Sequence, residues 1–568
     1  MALRRRDTEF KHLGVSYLDF KRVQMDRVLT GFLMRLNHRG LTSRMVRRNN
    51  LSVAEFTSEF TDARHADSFQ GFADHPDMAR RWVETQLLDM VNRGKPTQAV
   101  AGLRPLHGLT YKFRDYYHSR PYGADAQLYE MLRHARGPYG TLALEEIRKF
   151  FFTGLDATSA VSAHKAPIDV ETQAVLHLNS QVRADSPHNV KGWYSAAPLC
   201  IGQADLLADD VVRLLALKDL LPRITMVEYL KILFAFHLAL GQLKTMKLLP
   251  QAVARSSTDP ACGHDRCPAA ADAADPLAGC PFRAGLFVDV AGVPGSAAAA
   301  LAERSAEHWL RRIPGFVRAA YTVRKLDEFA EHLVGQGKEI RSARGYFTVP
   351  ELLRFGTGNY TRLRDEFFSA RLTSITDDIP VSEQPEEVRP LLDEAMGLDP
   401  FERYLELLMA YRGRYHHKYV VDTIDALLLK NRPGAAIAQP HQGRRRFILD
   451  SALLEVLVQV ALLRVNPRGG SSPYTHHTVS LRLDEFLALL RNRYGLHVDR
   501  LPAGDGFGPA GLEEEAALRA NTEAFTTRMR EIGFYDDLSD AYLTQVITPR
   551  FTITEHGLVT AGERQTRT

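Results

Sequence analysis

The sequence predicts a mainly α-helical, multidomain protein with a few short strands. Three observations carry that expectation: one long apolar helix with clear ends, a succession of helix-period segments along most of the chain, and a length of 568 residues, too great for one core. The apolar helix is TMVEYLKILFAFHLALGQLKTMKLL, Thr225 to Leu249. Thr225 followed by Glu228 has the spacing of a capping box, and Pro250 marks the end. Its apolar residues cover nearly every face, as in a helix enclosed by other elements. A membrane span is the rival reading, but a span wants about 20 mostly apolar residues. Lys231, Lys244 and Lys247 interrupt this run, so no membrane partner is expected.

Hydrophobic residues make up 45% and charged residues 25%, which suits an ordered globular chain. The net charge of +4 is too small to imply a polyanionic partner by itself. Four cysteines cannot frame a disulfide scaffold, and the opening MALRRRDTEF lacks the apolar core of a secretory signal. A cytoplasmic protein is expected, and the Ala, Arg, Leu and Gly usage suggests a bacterial one. The divisions expected are a basic helical part over 1–160, a central helical layer over 161–251, a Cys/Gly/Pro-rich insertion over 252–300, a helical part with an acidic stretch over 301–410, and a C-terminal part over 411–568.

In chain order, residues 1–50 carry twelve Lys and Arg against four Asp and Glu, an excess of eight. Val23, Val28, Leu29, Phe32, Leu33 and Leu36 have helical spacing, so arginines are expected to project from one amphipathic helix. Arg4, Arg5, Arg6, Lys21, Arg22, Arg44, Arg47 and Arg48 are the candidates for contacting nucleic-acid phosphates, here DNA. A solvated face, or one docked on an acidic subunit, explains the same pattern. Helices are then expected at MARRWVETQLLDMVNR, QLYEMLRHAR and LALEEIRKFFFTGL. The YKFRDYYHSRPY stretch reads either as base-stacking rings or as core aromatics, the latter being the commoner use. DLLADDVVRLLALKDLL leads through Pro222 into the central helix.

After Leu249 the composition turns small and polar, and three cysteines fall close together in ARSSTDPACGHDRCPAAADAADPLAGC. Thiolates and a neutral imidazole are natural tetrahedral zinc ligands, so Cys262, His264, Cys267 and Cys280 are the candidate metal site. Cys200, in APLCIGQ, is an alternative ligand. A closed set of four would make the zinc structural, ordering a loop without a core of its own. Unpaired thiols in a flexible insertion are the competing explanation.

Further helices are expected at AAAALAERSAEHWLRRI, KLDEFAEHLVGQ and, behind a Thr348/Glu351 capping box, VPELLRF. Ten carboxylates between Asp377 and Glu406 face only Arg389 and Arg403. The pairs His416–His417 and His476–His477 read as surface or loop histidines, since neighbours point to different faces. GFGPAG, from Gly506 to Gly511, has dinucleotide-fingerprint spacing, but Glu513, Glu514 and Glu515 would meet any phosphate there. No G-x-S-x-G, H-E-x-x-H, P-loop or kinase signature is present, so no catalytic residue is assigned.

Near the C-terminus come RRRFILDSALLEVLVQVALL and SLRLDEFLALLRNRYGLHV, with LHVDR and RFTIT as short strands beside the helices. That order suits a winged helix and equally an ordinary helical domain. These segments resemble large accessory proteins of bacterial anti-phage defence operons, particularly modification-linked systems. The resemblance covers the C-terminal quarter and transfers no site residue. It implies a non-catalytic subunit beside a separately encoded ATPase or nuclease, hence a scaffold in an assembly with other protein subunits and with DNA. The alternative is a metal-dependent hydrolase or nuclease using the Cys/His loop and nearby carboxylates.

Overall fold

The computed structural model describes residues 3–43, 52–115, 117–155, 168–182, 185–188, 194–255, 266–378, 397–465, 476–535, 546–554 and 557–558. Seventeen α-helices and several two-stranded sheets make up the described residues, a mainly α architecture. The principal helices are α1 (Met25–Asn37), α2 (Val53–Thr61), α3 (Ala124–His134), α4 (Tyr139–Phe151), α5 (Val170–Ser180), α6 (Ile201–Leu215), α7 (Arg223–Arg255), α8 (Ala297–Leu310), α9 (Ile313–Gly335), α10 (Thr361–Asp378), α11 (Pro400–Leu427), α12 (Ser451–Ala461) and α13 (Leu512–Glu531).

Helix α7 is the axis of the molecule. Its apolar residues are buried on all sides because α1, α3, α6, α9, α11 and α12 all pack against it. It is longer than the sequence suggested, running over 33 residues with Pro250 inside its last turns. A proline there forfeits the hydrogen bond of its missing N–H and crowds the carbonyl one turn back, a cost confined to the last turns of the helix. The expected Thr225/Glu228 box does not form. The helix starts at Arg223, and the Glu228 carboxylate instead receives Lys231 at 2.7 Å and Arg104 at 2.9 Å.

The three lysines that interrupt the apolar run each have an internal partner. Lys231 Nζ donates to Asp26 on α1 at 2.8 Å, Lys244 Nζ to Gln203 on α6 at 2.6 Å, and Lys247 Nζ to Asp505 at 3.0 Å. By length and composition α7 could cross a membrane, yet 78% of its most apolar window is buried within the chain itself. Charge neutralised inside costs little beside charge left bare in an apolar interior.

One contiguous hydrophobic core takes in residues from Phe10 to Ile553, with members in every one of the five expected divisions. The insertion joins it through Cys267, Leu277, Ala284 and Leu286. Local signals explain several ends. Thr348 and Glu351 form the expected capping box, Asp450 Oδ1 accepts the Ala452 N–H at the start of α12, and Asp399 caps α11.

Elsewhere the pattern misled. The expected helix over residues 78–93 becomes Pro76–Trp82, a π-turn over Val83–Leu87, and strand β1 (Leu88–Val91), which pairs antiparallel with β2 (Ala99–Leu103). The segment Leu88–Val91 alternates enough to serve either state, and only its distant partner decides. Strand β3 (Leu286–Phe287) pairs in parallel with β4 (Leu496–His497), so the LHV strand ties the insertion to the C-terminal part. RFTIT contributes Ile553–Thr554, which pairs with Gly557–Leu558.

Candidate functional site

Helix α6 begins at Cys200, its N-cap residue, and all fifteen of its residues are buried. The Cys200 thiol lies against the first turn, where the Gln203 N–H donates to the Cys200 carbonyl at 3.3 Å. Gly202 permits a close crossing: a methyl group there would stand 3.0 Å from Cys267 Sγ and 2.6 Å from Ala269 Cβ. Arg136 clamps this approach. Its guanidinium binds Asp205 of α6 and donates to the carbonyls of Cys267 at 2.9 Å and Ala269 at 2.7 Å. The insertion is thereby held on the N-terminal end of α6.

Cys200, Cys267 and Cys280 are thus brought within electrostatic reach of one another and of the Lys244 ammonium. Burial pushes the Cys200 thiol up, and Lys244 and the Gln203 N–H oppose that rise. Burial likewise pushes Lys244 down, against the pull of the three cysteines. Of the expected ligands, Cys267 and Cys280 both fall within electrostatic reach of Cys200, the alternative ligand. Cys262 and His264 lie outside the described residues. A tetrahedral zinc with bonds of about 2.3 Å sets its sulfurs roughly 3.8 Å apart. The Cys200, Cys267 and Cys280 sulfurs do not all come within 4.8 Å of one another.

From Lys244 a buried relay runs across the molecule. An ammonium only donates, so Gln203 must turn Oε1 to Lys244 and its NH2 to His237 Nδ1, which it meets at 2.7 Å. His237 Nδ1 is then an acceptor, and Nε2–H donates to Asp210 at 2.9 Å. Asp210 also accepts from Tyr494 Oη at 2.9 Å and from Arg493, whose Nη2 reaches Asp209 at 2.5 Å. Arg213 binds the same Asp209 and the Leu463 carbonyl. Burial pushes the Asp210 carboxyl up, but Arg493 and His237 overcome it and hold it well below the usual carboxylate range. Burial pushes His237 down, which keeps it neutral. With Asp209, Asp210 and His237 all at 0% exposure, this chain of bonds fixes structure and meets no substrate. Of this relay only Lys244 was noted from sequence, as a break in an apolar run; Gln203, Asp209, Asp210 and His237 stand among apolar neighbours that hide them.

The arginines of α1 pair within the molecule instead of projecting from it. On α1, Arg35 is buried against Asp125 at 2.6 Å and Arg27 faces Asp89 at 3.5 Å, so the helix spends its charge inward. Arg5 and Arg6 belong to a short helix, Arg5–Thr8, beside the buried Asp7 that binds Tyr404 and Arg371. Lys325 Nζ donates to the Arg6 carbonyl at 2.6 Å, while the Arg6 side chain is exposed. The Arg4 N–H donates to Asp7. Arg44, Arg47 and Arg48 lie outside the described residues.

Lys21 and Arg22 have a different setting. Lys21 Nζ stands 4.0 Å above the Tyr419 ring and 5.8 Å from that of Tyr415, which is 43% exposed; Arg22 beside it is exposed. They adjoin RGRYHHKY of α11, residues 412–419, whose Arg414 and Lys418 are exposed. In that run His416 turns inward, contrary to expectation, packing 4.2 Å from Phe10. His476 is likewise buried and His477 is not, so each pair splits between inside and outside.

Of the aromatic stretch, Tyr111 and Phe113 are core residues, which settles their use as packing. At GFGPAG the Gly506 carbonyl and Glu514 are both bound by Arg304.

Comparison with curated proteins and with solved structures gives no match. One protein-family model, that of methylation-associated defense system protein MAD7, matches residues 5–551.

Proposed function

Since the chain belongs to the family of methylation-associated defense system protein MAD7 and is thereby a component of an antiviral defence system, we propose that it serves there as a non-catalytic scaffold that also contacts DNA. The observation that carries this reading is the patch of Lys21, Arg22, Arg414 and Lys418 interleaved with Tyr415 and Tyr419. Cations beside exposed rings suit a phosphate backbone without reading its sequence. The scaffold role rests on the single core that runs from one end of the chain to the other, which offers a rigid body to other subunits. A cytoplasmic site of action, with no membrane partner, accords with the enclosure of α7.

We further place zinc on the cysteine group, with Cys267 and Cys280 joined by Cys200, or by Cys262 and His264. The close crossing at Gly202, which brings Cys267 Sγ onto the first turn of α6 beside Cys200, supports that choice.

The test is fluorescence anisotropy with duplex DNA at low salt, comparing the natural chain with a Lys21→Glu/Lys418→Glu variant, alongside co-purification with the co-expressed components of the system. Binding that weakens with salt and falls at least tenfold in the variant supports the reading. Absence of both DNA binding and co-purification overturns it.

A further inference from the structure

We infer that Glu59, His65 and His177 form a second metal site, an open one for a divalent transition metal with zinc the best fit. The three residues come from separate elements: Glu59 from α2, His65 from the one-turn helix Ala63–His65 behind it, and His177 from α5. One ligand atom from each lies within 4.8 Å of the other two, and among the described residues no other group of three His, Cys, Asp or Glu does so.

Three observations argue that this is more than proximity. First, His177 Nε2 is buried and has no hydrogen-bond partner among the described residues, although Glu59 Oε2 is 4.0 Å away, too far for a hydrogen bond. A nitrogen withdrawn from water with nothing to bind is the state a metal ligand shows without its metal. Second, the rings of His65 and His177 meet edge to face at 4.4 Å, so two imidazoles from separate elements converge on one point beside Glu59.

Third, the supports are fixed. Gln181 Nε2 donates to Glu59 Oε2 at 2.8 Å and Gln173 Nε2 to the Ser68 carbonyl at 2.6 Å, tying α5 to the segment that carries Glu59 and His65. Phe69 lies 5.4 Å from the His177 ring and Phe60 4.9 Å from Phe69, forming an apolar wall behind the imidazoles.

Two imidazoles and one carboxylate are the ligand set of zinc sites that keep a position for water or substrate, and the set also accepts other divalent transition metals. The Glu59 side chain is 38% exposed, so the fourth position faces solvent. The site differs in class from the cysteine group, which would hold its metal through sulfur.

The experiment is cobalt(II) titration of the full-length, metal-free protein, read by visible absorption and by equilibrium dialysis. The expected result is one equivalent showing ligand-field bands without thiolate-to-cobalt charge transfer, over and above any thiolate-bound ion. His65→Ala should abolish that equivalent, and Glu59→Gln should weaken it at least about 100-fold while leaving circular dichroism unchanged. Zinc should displace the cobalt. Identical stoichiometry and spectra in the natural chain and both variants would overturn the site. So would charge-transfer absorption accounting for every bound ion.

Discussion

The cysteine group and the Glu59, His65 and His177 group are built on opposite plans. Around Cys200 and Cys267 the donors are soft and buried, and they share their space with Lys244 and a fully enclosed relay that ends at Arg493. Around His177 the donors are nitrogen and oxygen, one side is an aromatic wall, and the other is open through Glu59. The first cannot be altered without disturbing the axis of the fold; the second can be emptied without it. Burial of the surroundings, more than ligand identity, separates a site that holds a protein together from one that is free to exchange.

Acid gives the largest effect by which to break this contrast. His107, His416 and His497 are pushed down to about 4 by burial, and His12 to about 3 by burial and Arg324, from an ordinary value of 6.5. The unfolded chain takes up these protons near 6.5 and the folded chain does not. The stability they contribute is therefore fully present above pH 6.5 and is lost as pH falls toward 4. The loss is about 1.4 kcal/mol per pH unit for each histidine, against a total of about 5–15 kcal/mol, so urea titrations should show unfolding in mild acid. A midpoint unchanged between pH 7 and 5 would contradict it.

Next in size is Arg493→Ala, which leaves Asp209 and Asp210 buried with much of their compensation gone and should cost about 3–5 kcal/mol in the same titration. Lys244→Met should cost about 1–3 kcal/mol by stranding Gln203 Oε1. If the cysteines hold zinc, it should also weaken that zinc in elemental analysis. Smallest is Glu59→Gln, which should change stability by less than about 0.5 kcal/mol while removing metal from the open site. A large destabilisation there would erase the distinction between the two groups.

The helical class, the central position of α7 and the Thr348 cap were legible because each is written in neighbouring residues. Leu88–Val91 was not, since its strand state depends on Ala99–Leu103 across a turn. The arginines of α1 were visible as charge, but Asp89 and Asp125, which neutralise Arg27 and Arg35, come from distant segments. Cys267 and Cys280 stood out by spacing. Glu59, His65 and His177 did not, because a three-ligand set split between two distant stretches of chain has no motif.

The pairing of α6 and α7 with residues near the end of the chain has a consequence for biosynthesis. Asp209 and Asp210 acquire Arg493, 283 residues beyond Asp210, and Lys247 acquires Asp505, 258 residues on. A ribosome releases the central helices long before their counter-charges, so the interior cannot close as the chain emerges. A chain cut short before Arg493 leaves Asp210 buried without its guanidinium, and quality control would meet it as an unfolded protein. The defence component therefore closes late, with the stretch around Arg493 and Asp505 licensing the fold of its middle.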